Sequence, residues 1–235
     1  MYDYVFISDT HLGSKFAKTA LLETFLKGLS PYTKNLFLVG DTFDFWKPDI
    51  KDVDILPFFR DFAQIYYLIG NHDLCLKNLI FLSPNILEEA HFEYQQMVWH
   101  ITHGHAFDPS FGHSSWLNTM LDKVLYNLSK LLHWDIRTSL HFLTEKHYQG
   151  ISSITTQKMQ KQYEDTPFDV LICGHTHCPE SKKINSFHVF NLGSWMQRPF
   201  ALFVKGEQYA FIEITKDKLC PQEEDFNDIR GLRAA

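Results

Sequence analysis

The chain is poor in cysteine, and the few cysteines that it has do not form a framework. They stand at positions 75, 173, 178 and 220, and no two of them show the C-x-x-C spacing typical of a zinc site. This pattern argues against a disulfide-stapled fold and against a cysteine-bound zinc ion. We therefore expect reduced thiols, most of them buried.

Long apolar segments are missing as well. No run approaches the roughly 20 residues that a transmembrane helix needs. No basic stretch, apolar segment and cleavage site precede the first strand-like run, Tyr4 to Ile7, so we expect no signal peptide. The sequence predicts a cytoplasmic protein and leaves open a peripheral contact with the cytoplasmic face of the inner membrane.

Positive charge is not in excess. The chain has 22 Lys and Arg against 28 Asp and Glu, which gives a formal net charge of −6. Domains dedicated to nucleic acids usually carry basic patches that neutralise phosphates, so this balance disfavours a nucleic-acid partner. The sequence also gives no indication of an obligate protein partner.

Several catalytic signatures are absent. The chain has no G-x-x-x-x-G-K-[ST] phosphate loop, no G-x-S-x-G nucleophile elbow, no G-x-G-x-x-G fingerprint and no H-E-x-x-H zinc helix. The mechanisms that depend on these signatures therefore lack their residues.

What the chain does contain is a series of five short motifs rich in Asp, Asn and His. In order they are Asp9-Thr10-His11, Gly40-Asp41, Gly70-Asn71-His72-Asp73, His103-Gly104-His105 and Gly174-His175-Thr176-His177. Nearly every motif follows an apolar, β-branched or aromatic run, which places it at the end of a strand. Because several strand ends can converge on one point, the set predicts a two-metal site for phosphoester cleavage.

The strand-like runs alternate with helix-like segments, which indicates an α/β fold with a parallel or mixed sheet. We expect strands at 4–8, 36–39, 65–69, 97–102 and 169–173, and helices at 17–29 and 55–63. After the strand at 169–173 we expect antiparallel strands to about residue 214. The architecture that we predict is a single domain over 1–235 with two packed sheets. The charged tail beyond Pro221 is expected to be loosely held.

Residues 113–164 differ from the rest of the chain because their apolar residues recur at helical spacing. We predict a helical insertion there, emerging beside the active edge as a lid or substrate wall. The leucine-rich stripe at 117–132 has two interpretations: simple helix packing, or a surface for acyl chains.

The motif residues divide naturally between two ions. We assign Asp9, His11, Asp41 and His177 to one ion, and Asp41, Asn71, His103 and His175 to the other. On an extended backbone, residues two apart point the same way, so Asp9 and His11 would grip one ion together. Asp41 has two carboxylate oxygens and could bridge ions about 3.5–4 Å apart. Mixed oxygen and imidazole ligands suit Mn, Fe or Zn better than Mg.

Two neighbours of Asn71 are predicted to be catalytic. Successive side chains diverge, so His72 need not bind a metal and could contact the phosphate or protonate the leaving oxygen. Asp73 is assigned the weaker role of orienting His72. For His105 two interpretations stay open: it flanks the site, or it hydrogen-bonds its own loop.

Together these motifs resemble the calcineurin-like metallophosphoesterase superfamily. Its pattern is D-x-H, G-D, G-N-H-[DE], a later His beside Gly, and G-H-x-H, and all parts occur in order across residues 9–177. The resemblance implies a metal-dependent hydrolase. It also implies a two-sheet α/β/β/α sandwich flanked by helices.

A closer resemblance is to the UDP-2,3-diacylglucosamine hydrolases of lipid A synthesis. It rests on Asp9-Thr10-His11-Leu12-Gly13, on the run Gly40-Asp41-Thr42-Phe43-Asp44-Phe45-Trp46, on His103-Gly104-His105, on chain length and on the insertion. The resemblance implies two divalent ions, typically manganese, and water attack at the α-phosphate that releases UMP and 2,3-diacylglucosamine 1-phosphate. The insertion would then shelter acyl chains at the membrane face.

The chain departs from that family at two positions. Its best-known members carry Arg where this chain has His72, and often Asp where it has His105. Lys158 and Lys161 are either phosphate contacts or solvated helix lysines.

Two other functions remain as alternatives. One is a metallophosphodiesterase acting on other nucleotides or on nucleic-acid ends. The other is a non-catalytic, metal-bound scaffold, against which the complete ligand set argues.

Overall fold

The computed structural model describes residues 1–14, 16–43, 59, 61–73, 85–108, 153–163, 168–184 and 187–232. The chain divides into two compact units. One consists of Met1–His103 together with Thr166–Ala235, and the other is Gly104–Asp165.

The first unit holds one long helix and twelve strands among its described residues. The helix α1 is Thr19–Leu29, and the strands are β1 Tyr2–Ile7, β2 Thr33–Val39, β3 Gln64–Leu68, β4 Asn85–Leu87, β5 Glu89–Tyr94, β6 Met97–Thr102, β7 Val170–Cys173, β8 Glu180–Ile184, β9 Phe187–Asn191, β10 Phe200–Lys205, β11 Gln208–Glu213 and β12 Asn227–Asp228. Short 3-10 helices cover Ser30–Tyr32, Glu223–Asp225 and Ile229–Leu232.

The described strands form two sheets, as the sequence predicts. The seven-stranded sheet has the order β12-β11-β10-β1-β2-β3-β4, and β1 to β4 run parallel. The five-stranded sheet has the order β5-β6-β7-β9-β8, in which β6, β7 and β9 run parallel. The carboxyl ends of β1, β2 and β3 therefore lie at one edge, and those of β6 and β7 lie together at an edge of the second sheet.

Beyond β7 the pairing is mixed rather than purely antiparallel. β8 and β9 form an antiparallel hairpin, but β9 then lies parallel to β7. The chain reverses once between β7 and β8 and again in the hairpin, which returns β9 to the direction of β7.

Side chains alternate between the two faces of the large sheet, because successive residues of a strand point to opposite sides. Val5 and Ile7 pack with Leu22 and Phe25 of α1 in one core. The helix buries this face because its apolar residues recur every three or four positions.

The opposite face of the large sheet packs on the five-stranded sheet through aromatic rings. Phe6 lies 4.8 Å from Phe37 and 6.2 Å from Trp99 between ring centroids, and Phe92 stacks against both Phe37 and Trp99. This second core fixes the two sheets against each other within the first unit.

The tail beyond Pro221 is held more firmly than the sequence predicts. β12 pairs with β11, and Ile229 and Leu232 are buried in the inter-sheet core. The expectation of a loose tail was wrong because two apolar residues within a charged stretch anchor it.

The described cysteines are free thiols, and Cys173 is buried while Cys178 and Cys220 are partly exposed. Cys75 lies outside the described residues. Within the part of the chain that the structure describes, no helix is long and apolar enough to cross a bilayer.

The predicted insertion, residues 113–164, falls entirely within the second unit. Of residues 113–164 the structure describes 153–163, and 153–162 are helical. The leucine-rich stripe at 117–132 lies outside the described residues, so its two interpretations stay open, as does the prediction of a lid. His105–Phe107 forms a 3-10 helix in this unit.

Candidate metal centre

Each of the five motifs begins within three residues of a strand end. Asp9 follows β1, Asp41 follows β2, Asn71 follows β3, His103 follows β6 and His175 follows β7. Because these strands are parallel within their sheets, their carboxyl ends bring the motifs together. This is the position in which α/β folds commonly bind ligands.

Five of the seven predicted ligands have a left-handed backbone. Their φ values are 51° at Asp9, 44° at His11, 48° at Asp41, 67° at His175 and 57° at His177. The extended backbone that we expected between Asp9 and His11 was therefore wrong. The chain curls tightly after β1, β2 and β7 instead, a conformation that costs non-glycine residues free energy and persists only where the surrounding structure enforces it.

The first cluster contains Asp9, His11 and His177, whose candidate ligand atoms lie within 4.8 Å of one another. Nε2 of His177 is 3.2 Å from Oδ1 of Asp9 and 3.2 Å from Nε2 of His11. The second carboxylate oxygen, Oδ2, accepts hydrogen bonds from the Ser8 hydroxyl and from the backbone N–H of His175, the latter at 3.0 Å. These bonds leave Oδ1 turned toward the imidazoles.

The second cluster contains Asp41, His103 and His175. Nε2 of His103 is 3.3 Å from Oδ2 of Asp41. The amide oxygen of Asn71 joins this cluster, at 3.3 Å from Nε2 of His103 and 3.0 Å from Nδ1 of His175. The structure thus brings together the four residues assigned to the second ion.

Asp41 connects the two clusters through a single oxygen. Its Oδ2 faces His103 of the second cluster and lies 4.0 Å from Nε2 of His11 in the first. Its Oδ1 accepts the backbone N–H of His72 at 2.8 Å. The sequence suggested a bridge through two oxygens, whereas the geometry favours one shared oxygen because the other is held by an amide.

The two central carboxylates are fully buried, and positive charge is needed to keep them there. Burial alone would raise the pKa of Asp9, but His103, His11 and His177 outweigh it and hold that pKa below its usual range. Burial also opposes ionisation of Asp41, yet His103 and His72 keep its pKa well below the ordinary value. Both groups are carboxylates in the folded protein.

His103 is oriented by the backbone of the neighbouring sheet. Its Nδ1–H donates to the carbonyl of Val39 at 2.9 Å, which turns Nε2 toward Asp41 and Asn71. Burial lowers the pKa of His103, but the Asp41 and Asp9 carboxylates more than offset this and raise it to about 10. In the metal-free protein a proton on His103 therefore supplies part of the charge that the carboxylates require.

His72 lies beside Asp41 and His11. Its Nε2 is 3.9 Å from Oδ2 of Asp41, its ring meets that of His11 edge-on at 4.9 Å, and its side chain is 18% exposed. It forms with His11 and Asp41 a third group of potential ligand atoms within 4.8 Å of one another. Its predicted role in proton transfer stays a prediction.

Asp73 contacts backbone amides. Its carboxylate accepts N–H groups from Thr42 at 3.2 Å, Phe43 at 3.1 Å and Gly70 at 3.1 Å. These bonds position the loop that carries Asp41, whereas the sequence assigned Asp73 to the orientation of His72. Burial and the nearby Asp41 charge raise the pKa of Asp73 to about 6.

Glycines next to the ligands leave no room for a side chain. A Cβ at Gly174 would lie 1.9 Å from Oγ of Ser8 and 2.3 Å from Oδ2 of Asp9. A Cβ at Gly40, where φ is +80°, would lie 2.4 Å from the ring of His103. The motif glycines are therefore required by close approach as well as by backbone turning.

Ser8 is a residue that the sequence analysis missed. Its hydroxyl bonds Asp9 and lies 2.7 Å from the Val39 carbonyl. Its place between an apolar strand and the first ligand is the signal that could have found it.

The remaining candidates belong to the second unit: His105 begins the 3-10 helix there, and Lys158 and Lys161 are exposed on the helical residues 153–162.

The donor set and its spacing fit divalent ions. Neighbouring ligand atoms on one ion, with bonds of about 2.1 Å, lie about 3.0–3.4 Å apart. The closest contacts between imidazole, carboxylate and amide atoms in the two clusters are 3.0–3.3 Å. The two groups of His and Asp residues are thus able to bind metal ions.

The fold also occurs among solved structures. Vacuolar protein sorting 29 of Cryptosporidium parvum superposes with a TM-score of 0.50 at 13% sequence identity, covering 96% of this chain and 95% of that one. This similarity concerns the fold alone.

Curated relatives are similar to this chain over nearly their whole length. The UDP-2,3-diacylglucosamine hydrolase of Haemophilus influenzae is 24% identical over 235 residues, covering 90% of this chain and 98% of the relative. The enzyme of the same name from Actinobacillus succinogenes is 24% identical over 238 residues, covering 92% and 97%.

The sequence profile of the calcineurin-like phosphoesterase superfamily domain matches residues 3–217, which is most of the chain and includes all five motifs. Within this span lie the buried carboxylates and imidazoles that are able to hold metal ions. The chain therefore belongs to the calcineurin-like phosphoesterase superfamily and is a metal-dependent hydrolase.

Proposed function

We propose that this protein hydrolyses UDP-2,3-diacylglucosamine, a nucleotide-linked sugar lipid, to UMP and 2,3-diacylglucosamine 1-phosphate. The observation that carries the proposal is the Asp41 oxygen placed between two clusters, in a chain whose curated relatives bear the name of that hydrolase. Such a pair of clusters suits two ions acting on one phosphoryl group. The substrate itself rests on the relatives.

The proposed ligand sets follow the two clusters. Asp9, His11, Asp41 and His177 would hold one ion, and Asp41, Asn71, His103 and His175 the other. Manganese is the metal that we propose, and iron or zinc would suit the same ligands. When bound, two such ions supply neutralisation of phosphate charge and an acidic water near neutral pH.

The reaction requires one water and one proton transfer at the departing oxygen. The water oxygen joins the α-phosphorus and gives up one proton to solvent, and the bond from that phosphorus to the bridging oxygen breaks with its electron pair left on the sugar phosphate. We assign His72 to protonate or hydrogen-bond this departing oxygen, since its partly exposed ring stands beside Asp41.

Replacing His72 with alanine should lower kcat by about a hundredfold while the metal content stays unchanged. The reason is that each cluster keeps its own ligands without His72, whereas the departing oxygen loses its proton donor. Steady-state kinetics and elemental analysis of the desalted variant measure the two quantities separately. If metal is lost together with activity, His72 is a ligand and the assignment is wrong.

A substrate comparison tests the proposed function directly. The manganese-loaded enzyme is offered the acylated UDP-sugar, the same sugar without acyl chains, an aryl phosphodiester and single-stranded DNA. A preference for the acylated compound by about a hundredfold or more, with UMP as product, supports the proposal. Equal rates on the aryl diester without UMP release would favour a general phosphodiesterase, and no turnover of any compound would favour a scaffold.

The same proposal gives the protein a place in the cell. A lipid-linked nucleotide sugar has its acyl chains in a bilayer, so we propose a cytoplasmic protein with peripheral contact to the membrane face. Sedimentation with vesicles that carry the acylated substrate, compared with plain vesicles, measures this contact.

A further inference from the structure

We propose that Glu89, His91 and His100 form a separate metal site that binds zinc on the outer face of the five-stranded sheet. These three side chains offer ligand atoms within 4.8 Å of one another. They share no residue with the two clusters beside Asp41. The proposal is independent of the substrate and adds a binding site to the protein.

Strand register brings the three residues together. β5 and β6 are antiparallel, and His91 lies directly opposite His100. Residues opposite each other share a face, and Glu89 lies on that face because it is two residues from His91. The alternate residues Ala90, Phe92 and Trp99 pack in the inter-sheet core, so the cluster points outward.

The spacing of the ligand atoms is that of a small cation site. Nδ1 of His100 is 3.1 Å from Nε2 of His91, close to the roughly 3.3 Å between two nitrogen ligands on one tetrahedral zinc. The Glu89 carboxylate lies 3.6 Å from the same Nε2 of His91. Two imidazoles and one carboxylate leave a fourth position on zinc for water.

The cluster combines a fixed ligand with two accessible ones. His100 is fully buried, beside Leu171 on the next strand and stacked on Phe168 at 5.4 Å. Glu89 and His91 are 52% and 46% exposed, so an ion can reach the site from solvent.

His100 has the protonation state that a ligand needs. Burial and the neighbouring His91 lower the pKa of His100 to about 3, which keeps this imidazole neutral at physiological pH. A neutral imidazole retains a lone pair for a metal ion. A direct hydrogen bond between the two rings is the alternative arrangement, and it would bind no metal.

A bound zinc would connect the edge strand β5 to its neighbour β6. Among the strands that the structure describes, β5 lies at the end of its sheet with β6 as its neighbour. An ion held by residues of both strands stabilises their pairing, because it binds the folded sheet and not the separated strands. The site is therefore expected to affect stability more than turnover.

Zinc binding by the full-length protein tests the proposal. Protein saturated with zinc and then desalted should retain about one zinc ion more per chain than the His91→Ala variant. Cobalt, used as a spectroscopic probe, should show the matching loss of visible absorbance. The matched control is His188→Ala, because His188 is a partly exposed histidine that pairs instead with Ser181 on β8.

A second variant keeps the test decisive if His91→Ala fails to fold. Glu89→Gln retains the size of an exposed side chain and should weaken zinc binding by about tenfold or more. Zinc should also raise the Tm of the parent by a few degrees more than that of either variant. Equal zinc content, equal cobalt spectra and equal Tm shifts in the parent, His91→Ala and Glu89→Gln would overturn the site, even if the hydrolase activity is intact.

Discussion

Replacing Asp41 with alanine is expected to lower kcat by at least about a thousandfold and to release both metal ions. The physical reason is that one oxygen, Oδ2, serves both clusters, with His103 at 3.3 Å and His11 at 4.0 Å. Each of the other predicted ligands belongs to one cluster, so its removal would directly weaken the binding of one ion. Steady-state kinetics with elemental analysis of the desalted protein measures both effects.

Asp41→Asn separates charge from position. Asparagine keeps an oxygen that can accept the backbone N–H of His72, now bonded to Oδ1 at 2.8 Å, but it carries no charge. We expect this variant to fold like the parent and still to lose most metal binding, because the amide NH2 group then takes the place of Oδ2 and has no lone pair for a metal ion.

The matched control for both variants is Asp217→Ala, which removes an exposed carboxylate from a turn. It should leave kcat and metal content unchanged. The assignment of Asp41 as the shared ligand would be wrong if Asp41→Ala kept one ion at parental affinity.

Replacing Gly70 with alanine is expected to disrupt the same centre without removing a ligand. A Cβ at this position would lie 2.1 Å from Oδ1 of Asp41 and 2.3 Å from its backbone nitrogen. A backbone atom cannot move aside as the end of a flexible side chain can, so Asp41 must shift. We expect about a hundredfold loss of kcat, since displacements of about 1 Å have this effect in enzymes.

The same change should lower the free energy of unfolding by about 1–3 kcal/mol, which urea denaturation measures. Gly28→Ala is the control, because Gly28 lies in α1 with nothing within 4 Å of its would-be Cβ. That substitution should raise the free energy of unfolding by up to about 1 kcal/mol. If Gly70→Ala has the activity and stability of the parent, the loop that carries Asp41 can shift at little cost in free energy and the prediction is wrong.

Much of the site could be predicted because its ligands follow recognisable strands. The run from Leu36 to Val39 is apolar and ends in a β-branched residue, and Gly40-Asp41 follows it directly. These neighbouring residues are enough to predict that Asp41 lies at the end of a strand. The same holds for Asp9 after β1 and His175 after β7. Convergence of these ends then follows from parallel pairing.

Other features depend on contacts that no local pattern encodes. The left-handed backbone at Asp9 and His11 is imposed by tertiary structure, since neither residue type favours it alone. The contacts of Asp73 with the amides of Thr42 and Phe43 join segments about thirty residues apart. In the sequence Asp73 directly follows His72, so the sequence predicts that Asp73 orients His72.

Strand register explains another omission. In the sequence His91 stands nine residues from His100, and no local pattern relates the two. Only the antiparallel pairing of β5 with β6 puts it opposite His100 and next to Glu89.

The tail beyond Pro221 was also not predictable from its composition, which is charged like that of a loose terminus. Two buried apolar residues, Ile229 and Leu232, anchor it.

The curled backbone at the ligands has a consequence for the order of events in assembly. Since φ values near +50° at Asp9 and Asp41 are enforced by the two packed sheets, the ligand positions are fixed when the chain folds, before any ion arrives. We therefore expect metal binding to leave the backbone of these loops unchanged. Ligand type and ligand spacing, which are set by the fold, then decide which divalent ion fits the site.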